Sequence, residues 1–182
     1  MATSKSRRMI IVCAAATLAI AACSSTRTQK SVGEHIDDAV LVTKIKADLV
    51  ADPVTAARHI DITVFKGRVQ LNGFVDSNDE KMQAGKVARG VRGVKNVENN
   101  LKLRGAERTA GQVIDDATIT AHVKAALIAD GRTKAHQIEV ETHSGVVQLA
   151  GFVDSNAART AAVELARGVD GVSRVDDRIA IK

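Results

Sequence analysis

Apolar and polar residues run through one series of patterns along residues 36–104. Leu41, Ile45 and Leu49 recur at a spacing of four, the stripe of an amphipathic helix over 36–51. Residues 60–75 then alternate. Ile60, Ile62 and Val64 are apolar at every second position, Lys66-Gly67 interrupts, and Val69, Leu71, Gly73 and Val75 resume. Period two marks strands, and glycine as the second of two loop residues predicts a type I′ hairpin. That turn sets Val64 opposite Val69 and Ile62 opposite Leu71. Gly73 shares their buried face, where a missing Cβ is expected to let a helix approach the strand. Gln70 and Phe74 fall on the other face, which reads as outward. Asp76-Ser77-Asn78-Asp79-Glu80 opens a second helix, with Ser77 and Glu80 spaced as a capping box. Gly93 is the expected left-handed stop, and Val94, Val97, Leu101 and Leu103 form a last strand.

The whole series then repeats. At an offset of 78, residues 36–104 lie on 114–182 without a gap, and about 30 of the 69 pairs are identical. Gly67-Arg68-Val69-Gln70-Leu71-Asn72-Gly73-Phe74-Val75-Asp76-Ser77-Asn78 returns as Gly145-Val146-Val147-Gln148-Leu149-Ala150-Gly151-Phe152-Val153-Asp154-Ser155-Asn156. The order helix, strand, strand, helix, strand therefore occurs twice, joined by a linker over 105–113. Asp37-Asp38 and Asp115-Asp116 sit where carboxylates cap the first helix of each half. Gly67, Gly73 and Gly93, with Gly145, Gly151 and Gly171, are the expected structural glycines. Modules of about 70 residues have thin cores. With no Trp, no Tyr and three Phe, the cores must be aliphatic, and the halves have reason to brace each other.

Ahead of the repeat, residues 1–9 are polar and basic and residues 10–22 are apolar. Such a run is too short to cross a bilayer and suits the core of a signal peptide over 1–22. It ends in Ile20-Ala21-Ala22-Cys23, which resembles the lipobox of bacterial lipoproteins, with Cys23 as the acylated residue. The count agrees, since the two cysteines are Cys13, lost with the signal, and Cys23, consumed by the lipid. Ser24 follows rather than Asp, which by resemblance to the enterobacterial sorting rule favours the outer membrane. Residues 23–35 read as a tether.

Charge removes one class of function. The net +5 is partly due to Lys5, Arg7 and Arg8. Residues 34–104 carry 12 basic and 10 acidic side chains, and residues 114–182 carry 8 and 10. No basic stripe with interleaved aromatics is present, so nucleic acid is not an expected partner. Catalysis is not expected either. His59, His122, His136 and His143 align with Gln137, Lys44, Arg58 and Phe65, so no histidine survives in both copies, and all read as surface residues. No nucleophile–base pair, phosphate loop or metal spacing is legible, and no cofactor is expected beyond the covalent lipid on Cys23.

Gly-x-Val-Gln-Leu-x-Gly-Phe-Val-Asp-Ser followed by Ala-Arg-Gly-Val-x-Gly-Val-x-x-Val resembles the BON domain, the bacterial osmotically inducible and nodulation module. The resemblance covers both halves. It implies an α+β fold of two tandem αββαβ modules, 36–104 and 114–182, each a small three-stranded mixed sheet with two helices on one face. It also implies a role in envelope integrity without enzymatic activity. In lipid-binding members the surface used joins the glycine–apolar step of the second module to the start of its first helix. Here those positions are Gly151-Phe152 and Thr118, with His122 and Lys124 nearby as weak attraction for anionic headgroups. Thr118 departs from the aromatic that firmly inserting members carry. Phe152 is open to two readings, a module–module contact or a residue in the lipid headgroup region. The expected protein is a periplasm-facing outer-membrane lipoprotein that binds anionic phospholipid, envelope proteins or both. The alternative is a stress-induced chaperone-like protein of the periplasm.

Overall fold

The computed structural model describes residues 32–55, 59–104 and 115–182, with side chains from Asp37 onward. The signal peptide, Cys23, most of the tether and the linker lie outside the described residues. In the first half, α1 (Val32–Ala51) leads into β1 (Ile60–Phe65), β2 (Arg68–Val75), α2 (Asn78–Gly90) and two short strands, β3 (Asn96–Asn99) and β4 (Lys102–Leu103). The second half has α3 (Asp116–Ala129), β5 (Ile138–His143), β6 (Val146–Val153), α4 (Asn156–Arg167) and an unbroken β7 (Arg174–Ile181). Both hairpins are antiparallel, and the last strand of each half runs parallel to the hairpin's second strand. β3 and β4 lie in line along β2 as one interrupted strand. Each sheet is thus mixed, with β2 or β6 in the middle. This is the α+β arrangement expected.

The hairpin register is the one the alternation requires, with Val64 opposite Val69 and Ile62 opposite Leu71. Lys66 and Gly67 have φ of 52° and 78°, and Ser144 and Gly145 have 50° and 71°, the positive pair of a type I′ turn. Such a turn aims two successive N–H groups at one point, which an anion can occupy. Asp38 and Asp116 do so. Asp38 accepts from Lys66 and Gly67 at 2.7 and 3.0 Å, and Asp116 accepts from Ser144 and Gly145 at 2.6 and 2.8 Å. These carboxylates therefore pin a turn 28 and 29 residues away rather than cap their own helix. Asp115 alone caps, accepting from Ala117 N–H. α1 begins at Val32, inside the stretch expected to be tether. Ser77 and Ser155 cap α2 and α4 as their spacing predicts, although Glu80 reaches the N–H of Asp76 rather than that of Ser77.

Each half has its own aliphatic core between helices and sheet. Leu41, Ile45 and Leu49 of α1 meet Val69, Leu71 and Val75 of β2. Ile119, Val123 and Leu127 of α3 meet Val147, Leu149 and Val153 of β6. The faces expected to point outward are buried as well. Gln70 and Gln148 are 0% and 1% exposed, and Phe74, Ala150 and Phe152 are buried beside them. The reason is the neighbouring sheet. The two halves stack sheet against sheet, giving four layers with helices outside.

Among the described residues, Gln70 and Gln148 make four hydrogen bonds that tie the sheets together, and these obey the repeat. Gly73 N–H donates to the side-chain oxygen of Gln148 at 2.6 Å, and Gly151 N–H donates to that of Gln70 at 2.9 Å. Gln148 Nε2 donates to the carbonyl of Asn100, and Gln70 Nε2 to that of Arg178, the position equivalent to Asn100. The glycines matter for a different reason from the one the alternation suggested. Gly73 and Gly151 have φ of 112° and 130°, and an added Cβ would meet the carbonyl oxygens of His59 and Gln137 at 2.2 and 2.1 Å. The obstacle is backbone immediately ahead of the hairpin's first strand, His59 before β1 and a 3-10 turn ending at Gln137 before β5, not a helix packed on the sheet.

Gly151→Ala is expected to lose at least about 2 kcal/mol of unfolding free energy, because it combines a left-handed backbone with a clash that cannot relax. Urea melts would show it, and a wild-type midpoint would refute the strain. Gln148→Leu strands the N–H of Gly73 and the carbonyl of Asn100, at roughly 1–3 kcal/mol. The same melts test it, and an unchanged stability would mean that the carboxamide bridge contributes nothing.

Candidate functional site

The resemblance-derived site does not come together as one surface. Thr118, His122 and Lys124 lie on the exposed side of α3, whose buried residues Ile119, Val123 and Leu127 face the core. Gly151 and Phe152 belong to β6 and point into the contact between sheets, where Phe152 is 3% exposed. Of the two readings of Phe152, the module contact is the one observed. Its ring stacks on Phe65 of β1 with centroids 5.5 Å apart, and the guanidinium of Arg68 lies 5.2 Å from its centre.

The opposite corner of the interface is the repeat-related copy. Phe74 packs on His143 at 5.3 Å, and these residues are equivalent to Phe152 and Phe65. His143 is therefore an interface residue rather than a surface one, and its Nε2 is buried without a hydrogen-bond partner among the described residues. Its alignment with an aromatic was the available signal. The glutamines carried a signal too, since Gln and Gly recur together in both copies. It was misread because alternation alone assigns a polar residue outward.

Between these corners the interface holds an acidic contact. Glu141 of β5 is half-buried and faces Asp61 of β1. Loss of solvent, a hydrogen bond to Asp61 and the Asp61 charge push the Glu141 carboxyl up to about 7, against the opposing pull of Lys124 and with a small further push from Glu139. At the rim, Asp154 accepts from Lys182 at 2.8 Å and from Lys134 at 2.9 Å. Those two ammonium groups hold its carboxyl far below the usual range. Asp154 is thus an ion-pair partner, while Ser155 does the capping. Lys134, Lys182 and Asp154 border a cleft of about 470 Å³ between the halves, floored by Phe65 and Phe152. Among the described residues, no group of three or more His, Cys, Asp or Glu is arranged to hold a metal ion, and no helix is long and apolar enough to cross a membrane. Chemically, the arrangement offers charge, aromatic area and two rigid sheets.

The Glu141 shift gives a pH dependence of stability. Its carboxyl has a native value of about 7 against 4.5 for the ordinary group. The native state therefore holds the proton more tightly, and stability from this group is full below about pH 4.5 and lost as pH rises through 7. Glu141→Gln should then stabilise the protein relative to wild type at pH 8 by about 1 kcal/mol after allowance for solvent screening, seen as a higher melting temperature. The difference should shrink to nothing toward pH 4.5. Paired thermal melts at the two pH values check this, and equal differences at both would refute it.

With the geometry in hand, similar proteins can be compared. Residues 37–105 and 115–182 each match the BON domain. Osmotically-inducible protein Y of Escherichia coli K12 is 38% identical over 157 residues, covering 85% of this chain and 78% of its own. Outer membrane lipoprotein DolP of Haemophilus influenzae is 33% identical over 147 residues, covering 80% of this chain and 75% of its own. The 21 kDa hemolysin of Actinobacillus pleuropneumoniae is 32% identical over 147 residues, with 80% and 75% covered. Two matches, one for each αββαβ half, leave a single conclusion: the chain belongs to the BON-domain family and carries the domain twice in tandem.

Proposed function

We propose that this chain is a non-enzymatic lipoprotein of the bacterial envelope, held at the periplasmic face of the outer membrane through an acyl group on Cys23, where it binds anionic phospholipid. The observation that carries the reading is the pairing of Ile20-Ala21-Ala22-Cys23 with a relative named as an outer membrane lipoprotein, similar over 80% of the chain. The osmotically-inducible relative is in keeping with a role in envelope stress. Binding rather than catalysis follows from what the residues offer. The polar groups that recur in both copies are engaged in turns, caps and the sheet-to-sheet bridge, which leaves them little chemistry to perform.

The chaperone-like alternative needs a broad apolar surface for unfolded chains. Here each sheet has one face covered by helices and the other by its neighbour, so the described sheets offer no such surface. That favours lipid over unfolded protein as the ligand, with envelope proteins as further partners at the same surface. Of the second-module residues singled out by resemblance, Thr118, His122 and Lys124 are exposed, whereas Phe152 is spent on the interface.

Acylation is tested directly by Cys23→Ser. The variant should move from the membrane fraction to the soluble periplasmic fraction, because a lipid anchor contributes about 0.8 kcal/mol per buried methylene. Unchanged membrane fractionation would remove the anchor from the proposal.

A further inference from the structure

One backbone arrangement occurs twice in the molecule and carries different side chains in the two halves. In the first half a groove of about 310 Å³ lies between the start of α1, the β1–β2 turn and the turn after α2. Four cations border it: Lys44, Lys66, Arg92 and Lys95. Val40 lies among them, 44% exposed. Two carboxylates also border the groove, but Asp38 is occupied by the backbone of Lys66 and Gly67, leaving Asp37 at the rim. At the equivalent positions the second half has His122, Ser144, Asp170 and Ser173, with Thr118 in place of Val40. Counting the paired aspartates of each half and His as neutral, the groove carries +2 and the equivalent positions of the second half −3.

We infer that the first-module groove is the site that meets anionic phospholipid, taking headgroup phosphates between its cations and seating Val40 at the lipid interface. This rests on the lipid-binding reading above and assigns the module that performs it. Charge complementarity is the first ground. Lys44 and Arg92 reach the groove from separate elements, α1 and the turn after α2, and Lys66 and Lys95 complete the ring. Among the described residues, Lys44, Arg92 and Lys95 make no ion pair. Lys66 extends over the Phe65 ring at 5.6 Å, at the edge of the sheet contact. The second ground is position. The groove is built on the first half of α1, which starts at Val32. Residues 24–31 cannot span more than roughly 30 Å even fully extended, so an acylated Cys23 keeps this groove close to the bilayer. The short reach supplies a high local concentration, which lets a weak site act. An anionic surface attracts each nearby Lys or Arg, and the equivalent face of the second half would be repelled.

The test uses the mature chain from residue 23 with Cys23→Ser, so that an acyl anchor does not dominate. Flotation is run with vesicles of phosphatidylglycerol in phosphatidylcholine and with phosphatidylcholine alone. The expected result is binding to the anionic vesicles only, released as salt rises. The variant Lys44→His, Lys66→Ser, Arg92→Asp, Lys95→Ser should lose that binding by about tenfold or more. Each new residue already occupies the same place in the other half, so the melting temperature should hold. Arg92→Asp alone, at an exposed position, should weaken binding severalfold and serves if the fourfold variant misfolds. A control with Lys46→Gln, Lys81→Gln, Lys86→Gln and Arg89→Gln, cations of the same module outside the groove, should retain it. Inorganic phosphate at matched ionic strength should not displace the vesicles. Undiminished binding by a folded groove variant, equal loss in the control, or displacement by phosphate would each overturn the groove assignment and leave the lipid reading standing. Failure of the parent chain to bind anionic vesicles would overturn both.

Discussion

Gln70 and Gln148 each cross from the middle strand of one sheet to the amide of a glycine in the other. The rest of the molecule is arranged so that they can. A carboxamide has an acceptor and a donor on one carbon, and both are used here, the oxygen on a glycine N–H and the nitrogen on a carbonyl of the far strand. Buried at this depth, neither end has an alternative partner in solvent, so the bridge forces a single register between the halves. The glycines meet the requirement from the other side. A left-handed backbone at Gly73 and Gly151 lets the N–H leave its own sheet and reach the neighbouring one.

This contact explains how two modules with thin aliphatic cores make one stable unit. Each core is closed on one side by helices and on the other by a sheet that would otherwise expose Gln, Asn, Phe and Ala to water. Stacking the sheets removes that surface and adds two aromatic corners, Phe65 on Phe152 and His143 on Phe74. The pseudo-symmetry is strict for the bridge and relaxed at the corners, where a histidine replaces a phenylalanine. It fails at the acidic pair, whose repeat equivalents are Glu139 and Thr63, and Asp61 and Glu141 repel when both are ionised. The interface thus contains an unfavourable element that protonation relieves, within a contact otherwise made of complementary groups.

The two copies are symmetric inside and asymmetric outside. Residues that build the turn, the bridge and the cores recur with little change, because either copy fails without them. The residues around the α1 groove and their equivalents in the second half have no such duty, and there the copies differ in charge by five units. Divergence at those positions costs neither core packing nor the bridge, so one half was free to become basic and the other acidic.

How much of this was legible beforehand can be argued from particular residues. The chain determined its own local structure. Alternation and Lys66-Gly67 set the hairpin register, the 78-residue offset set two modules, and Ser77 and Ser155 marked the starts of α2 and α4, because these depend on neighbours within a few residues or on one face of one strand. The tertiary structure decided what each second face was for. Period two tells which residues share a face but not what covers it, so Gln70 and Gln148 read as solvated and Phe152 stayed open between two fates. Asp38 and Asp116 read as caps because the nearest free amides in sequence are those of their own helix, whereas the closest in space belong to a turn 28 residues on. The same limit hid the groove of Lys44, Lys66, Arg92 and Lys95. These cations come from three separate elements, and only the packing of α1 against the sheet gathers them at one mouth.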